Sequence, residues 1–221
     1  MAAVDSGTAH RNYSADVLVR AAFYRTHGFA GPGDTAPISR AETLAAAAAL
    51  TVPKWPSEGS PGLDQFFGPI EVDDTGALVP GWEDAHLTNI ACPWPLTLAW
   101  DQSKKTSSIR CNKKVADSLK AILDEIWSAY NQDYSAIARA RMHLYGGCFE
   151  FRRKRGLSGL SMHAYGAAID FDPDGNPMYF AGQAVDIHMP MTVVDIFRRA
   201  GWKWGNDFSG RKDPMHFQAT S

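Results

Sequence analysis

The sequence predicts an α+β fold in which helices pack on a mainly antiparallel sheet. Three observations carry this expectation. The stretch 113–130 repeats apolar residues at helical spacing. Several short runs of β-branched and apolar residues lie between polar breaks. No regular alternation of strand and helix, the mark of a parallel βαβ sheet, runs through the chain. With 221 residues, 45% hydrophobic and 21% charged, the chain has the make-up of a globular protein with one main core.

Taken in order, residues 14–27 are expected to be helical. Ser39-Arg40-Ala41-Glu42 is a capping-box pattern ahead of TLAAAAAL, which predicts a second helix that stops near Val52-Pro53. KWPSEGSPG, 54–62, reads as a linker, because proline and glycine disfavour regular structure there. Two parts follow: a small helical N-terminal segment, 1–62, and a main domain, 63–221. IEVDDTGALV, 70–79, predicts a hairpin about its DDTG turn, and LTLAW, 96–100, and SSIRC, 107–111, predict short strands. Along 113–130, Val115, Leu119, Ile122, Ile126 and Tyr130 line one helical face and so belong to the core. A further helix is expected over 135–144, ended by Gly146-Gly147, and another through VDIFRRA, capped by Thr192 and ended by Gly201.

The formal net charge of −2 gives no general attraction to nucleic acid or to an anionic membrane, so neither is an expected partner. No stretch approaches the roughly 18 apolar residues of a membrane span. The opening MAAVDSGTAHRNYSADV has neither the basic start nor the apolar run of a secretory signal. A product that stays soluble in the cytoplasm as synthesised, without stable membrane insertion, is expected. Cys92, Cys111 and Cys148 are odd in number and lack CxxC spacing, which points to buried free thiols.

The chemistry concentrates in two places. In SMHAYGAAIDFDP, 161–173, an aspartate sits inside an apolar run, where an ionised side chain needs a partner or a metal. Strand alternation puts Ile169 and Phe171 on one face and Ala168, Asp170 and Asp172 on the other. An extended chain would hold His163 more than ~20 Å from Asp170 at about 3.3 Å per residue, so the two meet only if the chain folds back, and Gly166 permits that turn. In DPMHF, 213–217, alternation sets His216 opposite Met215 and Phe217, so it can face the same pocket. Two imidazoles and a carboxylate are the usual protein ligands of a catalytic zinc site. Spacing alone leaves two readings open: such ligands, or ordinary polar residues and, for Asp213, a turn residue before proline. Trp202 and Trp204 are expected to pack in the core, Cys148 to stand in the pocket wall, and His143 and His188 carry no motif.

G-x-F-x-x-R at Gly147 to Arg152, S-x-H-x-x-G-x-A-x-D at Ser161 to Asp170, and G-W-x-W-G followed by D-x-M-H-F together resemble the M15 zinc D-alanyl-D-alanine peptidases, the family of VanY-type carboxypeptidases and many phage endolysin peptidase domains. The resemblance spans about residues 63–217. It implies a zinc site at the sheet holding one Zn2+ through His163, Asp170 and His216. It implies Asp213 as the catalytic acidic residue, where many members have glutamate, one methylene longer. Arg152 would contact the substrate carbonyl or carboxylate, and Ser161 would contact substrate. The implied substrate is the stem peptide of bacterial peptidoglycan. The implied role is that of a phage-type cell-wall lysin acting after release, with 1–62 as a wall-targeting module or a helical annex. The competing expectation is a non-catalytic zinc-containing module of the same fold that binds peptidoglycan or serves structurally.

Overall fold

The computed structural model describes residues 53–221 apart from 155, 157 and 158. The helices expected at 14–27 and after the capping box at Ser39 lie outside the described residues. Residues 53–221 form one compact unit. Its elements, in chain order, are α1 (Gly62–Phe67), α2 (Trp82–His86), β1 (Leu87–Leu98), β2 (Asp101–Asn112), α3 (Ala116–Ala129), α4 (Tyr134–Arg139), β3 (Leu144–Gly147), β4 (Ala168–Phe171), α5 (Met191–Arg199), β5 (Lys203–Trp204) and β6 (His216–Gln218). A 3₁₀ helix at Met162–Tyr165 precedes β4. The strands make one six-stranded sheet in the order β2-β1-β3-β4-β6-β5. All neighbours are antiparallel except β1 and β3. The fold is α+β with a mostly antiparallel sheet, as the sequence predicts.

The two short strands expected at 96–100 and 107–111 are the ends of a long hairpin of two 12-residue strands. Pro93 and Pro95 lack the amide donors that a ladder needs. The pairing register accordingly breaks between Ala91 and Leu96, and this interruption hides the length of β1 in the sequence. The DDTG turn forms: Asp73 Oδ1 accepts from the Thr75 backbone N–H (2.8 Å), the Thr75 hydroxyl (2.6 Å) and the Ala77 N–H (3.1 Å). Its flanks make one isolated bridge, Val72 to Leu78, and stay outside the sheet.

The strongest helical pattern holds. Val115, Leu119, Ile122 and Ile126 are buried and Tyr130 packs beside them. The next expectation, a helix over 135–144, is corrected. That helix is Tyr134–Arg139, capped by the Asp133 carboxylate, which accepts from the Ser135 N–H at 2.7 Å. Arg141 then takes a positive φ of 61°, and residues 144–147 cross the sheet as β3. Gly146 and Gly147 therefore sit in a strand rather than ending a helix. The partners that make β3 a strand come from residues 97–98 and 170–171, which no local pattern reveals. Thr192 is also reassigned. Pro190, whose carbonyl accepts from Val193 and Val194, occupies the N-cap, and Thr192 lies inside α5.

After α5 the Gly201 N–H donates to Arg198 O (2.9 Å) and the Trp202 N–H to Phe197 O (3.0 Å), a Schellman closure that drops Trp202 into the core. Phe197 stacks on Phe217 with centroids 4.0 Å apart and meets Trp202 edge-on at 5.6 Å. Helix α5 is thereby anchored to β6, the strand that carries His216. The stretch read as a linker, 54–62, is packed rather than free. Trp55 is 4% exposed and meets Phe66 and Trp202 edge-on, and the Ser221 N–H donates to Pro56 O at 3.1 Å.

Candidate active site

Three adjacent strands set the floor of the site. Gly147 on β3, Asp170 on β4 and His216 on β6 stand side by side in register. The fourth participant arrives from the 3₁₀ helix. Ser161 caps that helix, its Oγ accepting from the His163 N–H at 3.3 Å, and Gly166 ends it with φ of 65°. A side chain at Gly166 would also strike the Asn112 amide nitrogen at 2.9 Å. This position therefore needs glycine both for conformation and for space, and the fold-back expected there is present.

The result is a tight triangle of donor atoms. His163 Nε2 lies 3.2 Å from Asp170 Oδ1 and 3.1 Å from His216 Nδ1, and His216 Nδ1 lies 2.9 Å from Asp170 Oδ1. All three residues are buried. The far ring nitrogens are occupied: His163 Nδ1 donates to the Cys148 carbonyl (2.8 Å), and His216 Nε2 donates to Gln218 Oε1 (3.0 Å). In the neutral rings both inward nitrogens therefore present lone pairs to one point. Bare lone pairs 3.1 Å apart repel unless a proton or a metal ion lies between them. Tetrahedral zinc with ligands at 2.0–2.2 Å has edges of about 3.3–3.6 Å, a few tenths of an ångström above the spacings here. The donor set and its geometry fit a metal ion, and among the described residues this is the one group of His, Cys, Asp and Glu side chains so arranged.

Electrostatics agree with a cation-seeking site. Burial pushes the Asp170 carboxyl up, but the adjacent imidazoles outweigh it and hold the group well below the usual carboxylate range. Burial lowers His216, yet its hydrogen bond to Asp170 and the Asp170 charge raise it on balance. Asp213 is the opposite case. Burial, aided by the Asp170 charge, raises its pKa, and its Oδ1 is buried without a hydrogen-bond partner. The His216 N–H donates to Asp213 O at 3.1 Å, which closes a β-turn with Pro214 at its second position. The DPMH sequence thus sets the carboxylate and the imidazole at the two ends of one turn.

A cavity of about 300 Å³ opens over the cluster, lined by His163, Asp170, Arg152, Glu150, Met178 and Met215 among others. At the cavity wall Arg152 Nε donates to Glu150 Oε2 at 2.7 Å. Gly146 also lines the cavity, and a side chain there would meet Asp170 Cβ at 2.8 Å and Pro173 Cγ at 2.9 Å. Only a glycine lets β3 approach β4 this closely.

Residues 155–219 match the family described as D-alanyl-D-alanine carboxypeptidase. That match supports an M15 peptidase assignment. The matched stretch holds His163, Asp170, Asp213 and His216, whereas Arg152 and the glycine pair of β3 lie before it. Neither the curated proteins nor the solved structures compared with this chain include a match.

The other side chains around the cluster sort by geometry. Ser161 is buried and engaged with the His163 N–H. Cys148 contributes its carbonyl to His163, while burial pushes its thiol far above the ordinary range, which removes it as a nucleophile. Cys92 and Cys111 are buried free thiols, pushed up to about 12 by burial. Trp202 and Trp204 are core residues; Trp204 Nε1 donates to Pro214 O at 2.8 Å and so steadies the turn that holds Asp213. His188 bonds Asp186 at 3.3 Å, and neither it nor His143 joins the cluster. Among the described residues no helix is long and apolar enough to cross a membrane. Two residues linked to His216 by hydrogen bonds escape the sequence reading. Gln218 was visible only as the residue two beyond His216 on the same strand face, and Glu58 lay in the supposed linker.

Proposed function

We propose that the chain is a zinc-dependent peptidase that hydrolyses the stem peptide of bacterial peptidoglycan, with His163, Asp170 and His216 holding one Zn2+. The observation that carries this reading is the convergence of three buried donor atoms, both imidazoles locked by their outer nitrogens, beneath a cavity walled by an arginine. Two neutral imidazoles and one carboxylate leave a divalent ion a net positive charge. When bound, the ion would lower the pKa of water toward ~7 and polarise a scissile carbonyl.

The chain's own residues do the rest. Asp213 takes a proton from the attacking water as the new C–O bond forms, and delivers it to the amine as the C–N bond breaks. Burial brings its pKa upward, toward the range where a carboxyl both accepts and returns a proton near neutral pH. Arg152, paired with Glu150, faces the negative charge that develops on the carbonyl oxygen. Ser161 supports the site by holding the turn that carries His163. A cavity of about 300 Å³ is at the small end of ligand pockets and suits the end of a short peptide better than a folded protein. The resemblance adds a phage-type lysin role, acting on the wall after release from the cytoplasm. The bond cut, D-Ala-D-Ala or L-Ala-D-Glu, is read from the products.

The test is metal content and release of peptide from peptidoglycan, followed by mass spectrometry, for the wild type, Asp213→Ala and His216→Ala. Asp213→Ala is expected to keep zinc and lose cleavage, and His216→Ala to lose both. A metal-free wild type that still cleaves would sink the proposal. Wall binding without peptide release from the zinc-loaded wild type would favour a non-catalytic module.

A further inference from the structure

We propose that Gln218 is a positioning residue of the metal centre, and that Glu58 and Lys154 hold it in place, so that the segment 54–62 completes the site. The inference rests on the metal-site reading of His163, Asp170 and His216. Gln218 lies two residues beyond His216 on β6, so both side chains leave the same face, and Gln218 is 2% exposed. Its amide nitrogen donates to Glu58 Oε2 at 3.1 Å and to Thr220 Oγ1 at 2.7 Å. An ionised carboxylate only accepts, so the nitrogen must face Glu58 and the amide oxygen must face His216. That oxygen, 3.0 Å from His216 Nε2, in turn requires a proton on Nε2. The neutral ring then has its lone pair on Nδ1, the atom 2.9 Å from Asp170 Oδ1 and 3.1 Å from His163 Nε2.

The far end of the relay is an ion pair. Lys154 Nζ sits 2.6 Å from Glu58 Oε1, with both side chains about two-thirds or more shielded from solvent at 35% and 28% exposure. Each link fixes the next: lysine keeps Glu58 ionised, Glu58 orients the Gln218 amide, and the amide selects the His216 tautomer. His163 has the equivalent support from a backbone carbonyl, that of Cys148, which no substitution removes. Only the His216 side therefore depends on side chains. A purely structural role does not account for the arrangement, because the backbone of Gln218 already pairs with Ala168 and Lys203 and holds β6 without the amide. Outer partners of metal-binding histidines act in this way, by fixing tautomer and ring orientation.

The experiment uses the full chain and zinc alone, with affinity read by competition against a chromophoric chelator and folding read by circular dichroism. Gln218→Met, similar in length but without the acceptor, is expected to weaken zinc binding roughly 10- to 100-fold with the fold retained. The exchange Gln218→Glu with Glu58→Gln restores an acceptor toward His216 and a donor between the two side chains, and should return the affinity to within about threefold. Nitrogen NMR on metal-free protein labelled at histidine gives a reading that needs no substitution: His216 protonated at Nε2 in the wild type. Zinc affinity of Gln218→Met within about twofold of the wild type, or a wild-type ring with no proton on Nε2, overturns the inference. A wild type that binds no zinc overturns the site reading instead, and the NMR result still decides the tautomer. Should Gln218→Met not fold, the exchanged pair and the wild-type spectrum carry the decision.

Discussion

Asp213→Asn separates the stability of this protein from its chemistry. The substitution keeps the shape of the side chain and removes its charge. In the structure, Asp213 is 8% exposed and its Oδ1 has no hydrogen-bond partner. A buried acceptor left unpaired costs about 1–3 kcal/mol, and more when charged. Asparagine keeps a buried acceptor but loses the charge, so relief of the charged share of that cost should raise the stability of protein stripped of metal by a chelator by about 1–3 kcal/mol at neutral pH, or roughly 2–12 °C in Tm for a chain of this size. The pH dependence has a definite sign. Burial raises the folded pKa of Asp213 above its unfolded value. Its contribution is therefore fully present below the ordinary aspartate range and is lost as pH rises through the raised pKa. The advantage of the variant is accordingly largest at neutral pH and shrinks as pH falls through that window. Removal of the proposed general base should at the same time lower peptide release by about 10²–10⁴-fold. The assay pairs thermal unfolding by circular dichroism in chelator, between pH 4 and pH 8, with peptide release from peptidoglycan by the zinc-loaded protein. A variant less stable than the wild type at pH 7, or one that keeps activity within tenfold, would refute the reasoning.

Gly146→Ala is expected to force β3 away from β4, because the added carbon would lie 2.8 Å from Asp170 Cβ. A loss of about 1–3 kcal/mol in urea unfolding and weaker zinc binding should follow. Removal of residues 1–52, rather than 1–60, should leave the peptidase domain folded, since Trp55 and Glu58 pack on the body while the cut spares them. If the removed segment targets the wall, cleavage of intact wall falls while cleavage of a soluble stem peptide is kept. Equal activity on both substrates argues against targeting.

Much of the site is legible in the sequence because its parts are local. His163, Gly166 and Asp170 lie within eight residues, and Asp213 and His216 span one turn, so spacing and turn chemistry relate them without knowledge of the fold. Helix 113–130 is legible for the same reason: its apolar spacing is a property of one segment. The misreadings share a cause as well. Leu144 to Gly147 looked like the end of a helix because its strand partners are distant in sequence. The span 54–62 looked like a linker because proline and glycine signal irregular backbone, and irregular backbone packs as readily as it hangs free once a tryptophan anchors it.

The sequence by itself determined the class of the fold, the main helix and the donor types with their spacing, since each follows from side-chain chemistry and backbone period. Only the tertiary structure decided which nitrogen each histidine presents, how closely Gly146 lets two strands approach, and that Glu58 reaches Gln218 across 160 residues. Those are contacts between distant segments. Their energies depend on distances and orientations of a few tenths of an ångström, and these exist only after the sheet has formed.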